Sequence, residues 1–402
     1  MQRLMQREAL LRALAHSLLL AGLVAGAASH AQEPGKVTDP VVTAADARQS
    51  YALYLPSTYN TQKKWPVLIV FDPFARGAAA IEPFRAAAEK HGYILAGSNN
   101  SRNGPAQPSL DAFVAMYNDV RARFRVDDAR VYTAGLSGGA RVAGMAAASC
   151  DGCVRAVIAC GAGLPALRED ARRRLPAYYF TVGRYDFNYF EILGAARTMS
   201  GPRAVAVFDG AHEWPPSDVA ERALAWLDAG AKTTEVPEPT AEEERQQKRQ
   251  DELFQRVASL LTTSVQQREE RERSLADARR AMAELKTQRE AAQGEDAVVL
   301  RRALGQAVVS AFELAQQLKR EGDGGLYAEV LAVAVEGARP NPELYHELAA
   351  AWAAAGNKKK ALAALRRAVE LGFKDKQALA ANKSFDKLRT SEEFQAIVNG
   401  MR

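Results

Sequence analysis

Gly135-Leu136-Ser137-Gly138-Gly139 is the run whose residue types and spacing point most directly to chemistry. This G-x-S-x-G pentapeptide follows the apolar run Val131-Tyr132-Thr133-Ala134 and precedes Ala140 to Ala148, small residues with helical character. A strand that enters a helix through such a pentapeptide holds its serine in a strained turn. Glycine is needed on either side because strand and helix approach too closely for a Cβ. The Ser137 hydroxyl would then stand above the carboxyl edge of a sheet, beside the positive end of a helix. The pentapeptide alone occurs often by chance; its flanking strand and helix are what make it a nucleophile elbow.

A serine nucleophile needs a base, and the chain has 5 histidines. His16 and His30 lie in an N-terminal stretch expected to be removed. His91 reads as a helix C-terminal residue in Glu89-Lys90-His91-Gly92, and His346 lies in a C-terminal helix. That leaves His212, in Asp209-Gly210-Ala211-His212-Glu213-Trp214-Pro215, directly after the apolar run Ala204–Phe208. The acid belongs on a loop after a strand between Ser137 and His212, in the chain order Ser, Asp, His. Asp186 fits, with Asp209 and Glu191 as weaker alternatives. It would hold the imidazole tautomer and stabilise the imidazolium without taking the proton itself.

The oxyanion that forms on attack needs backbone donors. One is the N–H of Gly138. A second is expected from Asp72-Pro73-Phe74-Ala75-Arg76-Gly77. Pro73 has no N–H, so Phe74 is the expected donor and Ala75 the fallback. Asn99 and Asn100, after the apolar run Tyr93–Ala96, could reach a cleft, as could Tyr185 and Trp214 beside the acid and base. Those aromatic residues, with Phe187 and Tyr189, could equally pack the loops onto the sheet. Such chemistry requires no metal and no organic cofactor.

The elements that must position these residues are apolar runs alternating with amphipathic segments. Strands are expected at Tyr51–Leu55, Val67–Phe71, Tyr93–Ala96, Arg130–Ala134, Ala156–Ala159, Tyr178–Val182 and Ala204–Phe208. Helices are expected between most of them, including Ile81–His91, Ser109–Phe124 and Ala140–Ala148. Alternation of this kind gives parallel βαβ units and a doubly wound α/β sheet. The near-continuous apolar run Val67–Phe71 fits a central strand buried on both faces. Only about eighteen residues separate Ala159 from Tyr178, too few for a large lid. An open, shallow cleft suits a short acyl group or an accessible polymer end.

This catalytic region spans residues 40–231, and 232–242 form a polar, Pro-containing linker. Residues 243–306 are a charged helical region, expected as a solvent-laced helix or helical hairpin. In 307–402 a repeat is visible. Tyr345, Leu348, Ala349, Trp352, Gly356, Ala361, Leu365 and Ala368 fall close to the offsets of a 34-residue tetratricopeptide unit. Leu314, Ala315, Leu318, Gly322, Leu331 and Ala334 form a degenerate copy before it. Two copies are fewer than such arrays use alone, so these helices must lean on Ala380–Met401 and on the charged helices. An ordinary Ala-rich helical bundle is the alternative.

The chain has 48% apolar and 25% charged residues, which excludes a largely disordered chain and a multispan membrane protein. Its net charge of +5 is mild, and no nucleic-acid-reading motif accompanies it. Residues 1–31 read as a signal peptide. Arg3, Arg7 and Arg12 precede the apolar stretch Leu18 to Ala28, and Ser29-His30-Ala31 supplies a small-x-small cleavage site. The apolar stretch is shorter than the roughly 20 residues of a membrane span, although an uncleaved anchor is the alternative. Cleavage after Ala31 implies a periplasmic or secreted protein with no stable membrane insertion. Cys150, Cys153 and Cys160 would then meet an oxidising compartment. A Cys150–Cys153 bridge with Cys160 buried and free, or three unpaired thiols, both fit.

The lead-in Val126-Asp127-Asp128-Ala129-Arg130-Val131-Tyr132-Thr133-Ala134-Gly135-Leu136-Ser137-Gly138-Gly139 and the His212-Glu213-Trp214-Pro215 loop resemble the α/β-hydrolase superfamily. They look most like its compact secreted esterases, the polyhydroxybutyrate depolymerase and feruloyl esterase group. The resemblance covers under half the chain. It implies hydrolysis of a small-molecule or polymeric carboxylic ester through an acyl-serine. The lipase-like His-Gly-Gly run of the superfamily is absent, and Asp72-Pro73-Phe74 stands in its place. Two other readings remain open: a periplasmic tetratricopeptide scaffold carrying a vestigial hydrolase domain, and peptidase or acyltransferase chemistry on the same three residues. A protein partner on the helical repeats fits any of them.

Overall fold

The computed structural model describes residues 32–150, 152–261 and 268–401. The expected signal peptide and its cleavage site, residues 1–31, lie outside the described residues. Eight strands form one sheet: Val37–Val42 (β1), Ser50–Tyr54 (β2), Trp65–Phe71 (β3), Ile94–Ser98 (β4), Val126–Leu136 (β5), Ala156–Cys160 (β6), Ala177–Gly183 (β7) and Arg203–Phe208 (β8). All but β1 coincide with apolar runs expected from sequence. β1 is a largely exposed edge strand containing Asp39 and Pro40, and its pattern carries no buried period. An edge is where a sheet tolerates proline.

The strand order is β1-β2-β4-β3-β5-β6-β7-β8. β2 runs antiparallel to both its neighbours, and every pair from β4 through β8 is parallel. Helices Gly77–His91 (α1) and Ser217–Asp228 (α6) cover one face. Ala106–Arg123 (α2), Gly138–Ser149 (α3) and Tyr189–Thr198 (α5) cover the other, and Glu169–Arg172 (α4) is a short turn between β6 and β7. In β3, Val67, Ile69 and Phe71 pack with α2 and α3, while Leu68 and Val70 pack with α1. That is why this strand reads as uninterrupted apolar sequence. This mostly parallel sheet with helices on both faces is the α/β-hydrolase architecture.

The topology also places the site. The chain leaves β3 toward β4 on one side, then crosses back to β5 and winds the other way. Loops after β3 and β5 therefore diverge at their carboxyl ends, and such a switch point opens a crevice.

The remaining helices are Ala241–Ala258 (α7), Arg268–Ala291 (α8), Gly294–Glu321 (α9), Gly324–Gly337 (α10), Pro342–Ala354 (α11), Lys358–Glu370 (α12), Lys376–Ala381 (α13) and Glu392–Asn399 (α14). α7 begins with a capping box, in which Thr240 Oγ1 accepts from the Glu243 N–H at 3.1 Å and Glu243 Oε2 accepts from the Thr240 N–H at 2.9 Å. Each stretch read as a repeat is a helix pair, α9 with α10 and α11 with α12. Gly356 makes the second turn at φ 77°, and Asn357 caps α12 by accepting from the Lys360 N–H. The expected boundary at 306/307 falls inside α9, a helix of 28 residues. One helix thus joins the charged region to the repeats. Leu379, Phe385, Phe394 and Ile397 close the core of α10 to α12 from the C-terminal side. No helix of the described residues is long and apolar enough to cross a membrane.

Cys150 and Cys153 form a disulfide at the end of α3, and Cys160 is free and fully buried. Burial pushes the Cys160 thiol up to about 12, and the thiolate is the reactive form. A disulfide reagent at about pH 8 should find no thiol in the native protein and a single one after unfolding in guanidinium. Rapid native titration of a thiol would contradict this burial.

Candidate active site

The elbow is built by close contacts. Ser137 sits between β5 and α3 at φ 55°, ψ −121°, a left-handed backbone that a non-glycine residue rarely adopts. A Cβ on Gly135 would lie 2.2 Å from the Gly139 carbonyl carbon, and one on Gly139 would lie 2.1 Å from the Phe71 oxygen. Only glycine fits at either position. The Ser137 N–H donates to the Cys160 carbonyl at 2.8 Å, which ties the elbow to the end of β6. The Gly138 N–H, first in α3, meets no acceptor among the described residues. Unpaired N–H groups at a helix start carry its positive end.

Acid and base meet beside it. Asp186 is completely buried in the turn after β7. Its Oδ1 accepts from the Asn188 N–H at 2.8 Å. His212 Nδ1 lies 3.0 Å from Asp186 Oδ1 and 3.1 Å from Oδ2. The two loops are zipped together as an extension of the β7–β8 pairing. The Arg184 N–H donates to the Phe208 carbonyl at 2.8 Å, and the Tyr185 N–H to the Gly210 carbonyl at 2.9 Å. The Phe187 ring packs on the imidazole with centroids 4.2 Å apart. Gly161 links this pair to the elbow: it follows Cys160, the acceptor of the Ser137 N–H, and a Cβ on it would lie 3.2 Å from His212 Nδ1. Asp186 and His212 thus pair directly, and this pair and the Ser137 backbone both border the end of β6; among the described residues no hydrogen bond joins Ser137 Oγ to His212.

The two other histidines of the described residues are occupied elsewhere. His91 Nδ1 pairs with Asp228 at 2.8 Å, and His346 stacks on Phe373 at 4.4 Å. Neither alternative acid pairs with His212 among the described residues. Glu191 pairs with Arg141 and accepts from the Gly163 N–H, and Asp209 is exposed.

The expectation for Phe74 needs correction. Its N–H donates to Asp72 Oδ1 at 2.8 Å, in a turn that the aspartate side chain makes with its own backbone two residues on. Arg76 grips the same carboxylate with two 2.9 Å bonds. The Phe74 N–H is engaged, and its ring is 58% exposed. Ala75 donates to the Asp72 carbonyl at 3.3 Å.

Asn99 and Asn100 are structural. Asn99 accepts from the Gly77 N–H and donates to Asp39, while Asn100 accepts from the Ser50 N–H and donates to the Arg48 carbonyl. These bonds hold β2 and the loops beside it. Trp214 packs edge-on against Phe84 at 6.0 Å. Tyr185 lies under the Arg301 guanidinium at 4.4 Å.

Asn103 is a residue the sequence analysis does not reach, although it lies just beyond Asn99 and Asn100. It is exposed, and its N–H donates to the Pro73 carbonyl at 2.9 Å. Its amide stands against the first residue of α3, with Oδ1 1.9 Å from where a Gly138 Cβ would be. Its only signal in sequence was its closeness to Asn99 and Asn100.

No family model matches the chain, and no curated protein does. Solved structures similar to it include esterases, S-formylglutathione hydrolases and a dipeptidyl peptidase. Est1E from Butyrivibrio proteoclasticus shares 12% identity, with 48% of this chain and 100% of that one covered at a TM-score of 0.40. The S-formylglutathione hydrolase FrmB from Staphylococcus aureus shares 13%, with 48% and 98% covered at 0.39. A ferulic acid esterase shares 20%, with 48% and 95% covered at 0.39.

Proposed function

We propose that the chain is an exported serine hydrolase that cleaves carboxylic esters. What supports this reading is a strained elbow serine on one side of the end of β6 and, bordering the same strand end, an imidazole bonded to a fully buried carboxylate. Ser137 Oγ attacks the ester carbonyl as His212 Nε2 takes its proton. The tetrahedral intermediate collapses, and the same proton passes to the departing alcohol. Water, deprotonated by His212, then releases the acid from the acyl-serine. Asp186 holds Nδ1 throughout.

For the oxyanion, the Gly138 N–H is one donor. With the Phe74 N–H engaged on Asp72, the Asn103 amide is the second, since a half-turn about its last bond brings Nδ2 to the position of Oδ1 beside Gly138. Removing one side-chain oxyanion donor costs about 10²-fold in kcat. Asn103→Ala should therefore lose about that much, as read by steady-state hydrolysis of an activated ester. A wild-type kcat in this variant would return the second donor to the Asp72–Arg76 loop.

The Cys150–Cys153 disulfide supports export, because such bonds persist in oxidising compartments. The α11–α12 hairpin, in which small Ala361, Ala364 and Ala368 of α12 are buried, supports a tetratricopeptide-like unit that binds a protein partner. Labelling with a fluorophosphonate probe, followed by peptide mapping, tests the enzyme reading. Adduct on Ser137 is the expected result. A folded protein that takes no label has no activated serine, and the reading fails.

A further inference from the structure

The loop that carries Asp186 is held from outside the α/β sheet. Arg302, in the middle of α9, is only 2% exposed. Its Nε donates to the Arg184 carbonyl at 2.9 Å, and its guanidinium lies over Tyr189 at 3.8 Å and Phe190 at 4.8 Å. Gln250 of α7, also buried, donates to the Phe187 carbonyl at 3.0 Å and to Gln306 of α9 at 3.1 Å. Gly305, three residues past Arg302, leaves room for the Phe187 ring, whose Cδ1 lies 3.4 Å from where its Cβ would be. Phe187 in turn packs on His212. The helices thus touch the acid loop on both sides of Asp186, and through one aromatic ring they reach the imidazole.

Stability alone gives a poor account of Arg302. Burial pulls its pKa down to about 10, and Nη1 is buried with no hydrogen-bond partner. An enclosed cation with an unmet donor is costly, and an apolar side chain of similar length often packs as well or better. What arginine adds is direction: a planar fork that bonds one carbonyl while stacking on two rings.

We propose that α7 and α9 form a working wall of the active site, with Arg302 as a positioning residue that sets the acid loop and hence the alignment of Asp186 and His212. On this view the helical region is coupled to turnover, and whatever binds it acts on catalysis through α9. The inference rests on the serine-hydrolase reading.

The test uses the full chain, with Arg302→Met, Arg302→Lys and Gly305→Leu compared with wild type. Each is measured for thermal unfolding, for kcat and KM on an activated ester, and for the rate of fluorophosphonate labelling at Ser137. Misplacement of reacting groups by about an ångström can cost as much as 10²-fold. Arg302→Met should unfold no earlier than wild type, yet lose at least about tenfold in both kcat and labelling rate while KM changes little. Arg302→Lys should recover part of that loss, because it keeps a donor for the Arg184 carbonyl. Gly305→Leu, which presses on Phe187 and leaves the cation in place, should reproduce the loss and covers the case in which Arg302→Met does not fold. Folded variants labelled at the wild-type rate would overturn the inference and leave the serine-hydrolase reading intact. Wild type without label would instead remove the reading itself.

Discussion

On the serine-hydrolase reading, replacing Ser137 with alanine should lower kcat/KM on an activated ester by about 10⁴–10⁶-fold, with the fold unchanged. At about 1.4 kcal/mol for each factor of ten, that is about 5.5–8 kcal/mol of lost transition-state stabilisation. The size follows from what the hydroxyl does. Without Oγ no acyl-enzyme forms, and the remaining donors can only stabilise slow attack by water. Structural cost should be small. The elbow is fixed by the backbone bond from the Ser137 N–H to Cys160 and by the glycine contacts, none of which involves Oγ. Activity and thermal unfolding measured on the same preparation separate the two effects. Turnover within tenfold of wild type by pure Ser137→Ala protein would move the chemistry to another residue.

Much of this site was legible because strand and helix periods bracket it. The apolar run before Gly135 and the small residues after Gly139 define an elbow without any coordinates, and scarcity of histidine left His212 by elimination. Asp186 followed from chain order. What escaped was decided by side chains competing for backbone groups. Whether Phe74 is a free donor depends on Asp72 turning back onto its own loop, and no periodicity encodes that. Asn99 and Asn100 stand near the cleft in sequence, yet their amides complete backbone bonds of β2 and its neighbouring loops. β1 was missed because an exposed edge strand with a proline has no buried face to announce it. The grip of α9 on the acid loop joins residues 118 positions apart, and such a contact leaves no local trace.

Asp186→Asn should cost about 10⁴-fold in kcat, although one oxygen is exchanged for one nitrogen. The carboxylate accepts at both oxygens: Oδ1 from the Asn188 N–H and from His212 Nδ1, and Oδ2 from the same imidazole nitrogen. An asparagine has a single acceptor oxygen. If that oxygen stays at the Oδ1 position with the Asn188 N–H, it is still 3.0 Å from Nδ1, but the amide NH₂ takes the Oδ2 position 3.1 Å from the same nitrogen and sets a donor against it. A donor there favours the tautomer with its proton on Nε2, which cannot accept from Ser137. If the amide flips to serve Nδ1, the Asn188 N–H loses its acceptor inside a buried turn, and the imidazolium of the transition state still lacks an opposing charge. Both arrangements disarm the base while KM stays near the wild-type value, because Asp186 is wholly buried and touches no substrate. Raising the pH should restore part of the activity, since hydroxide can take the serine proton when His212 cannot. A variant that keeps kcat within tenfold at neutral pH would assign the acid to another residue and leave the Asp186–His212 contact a structural bond.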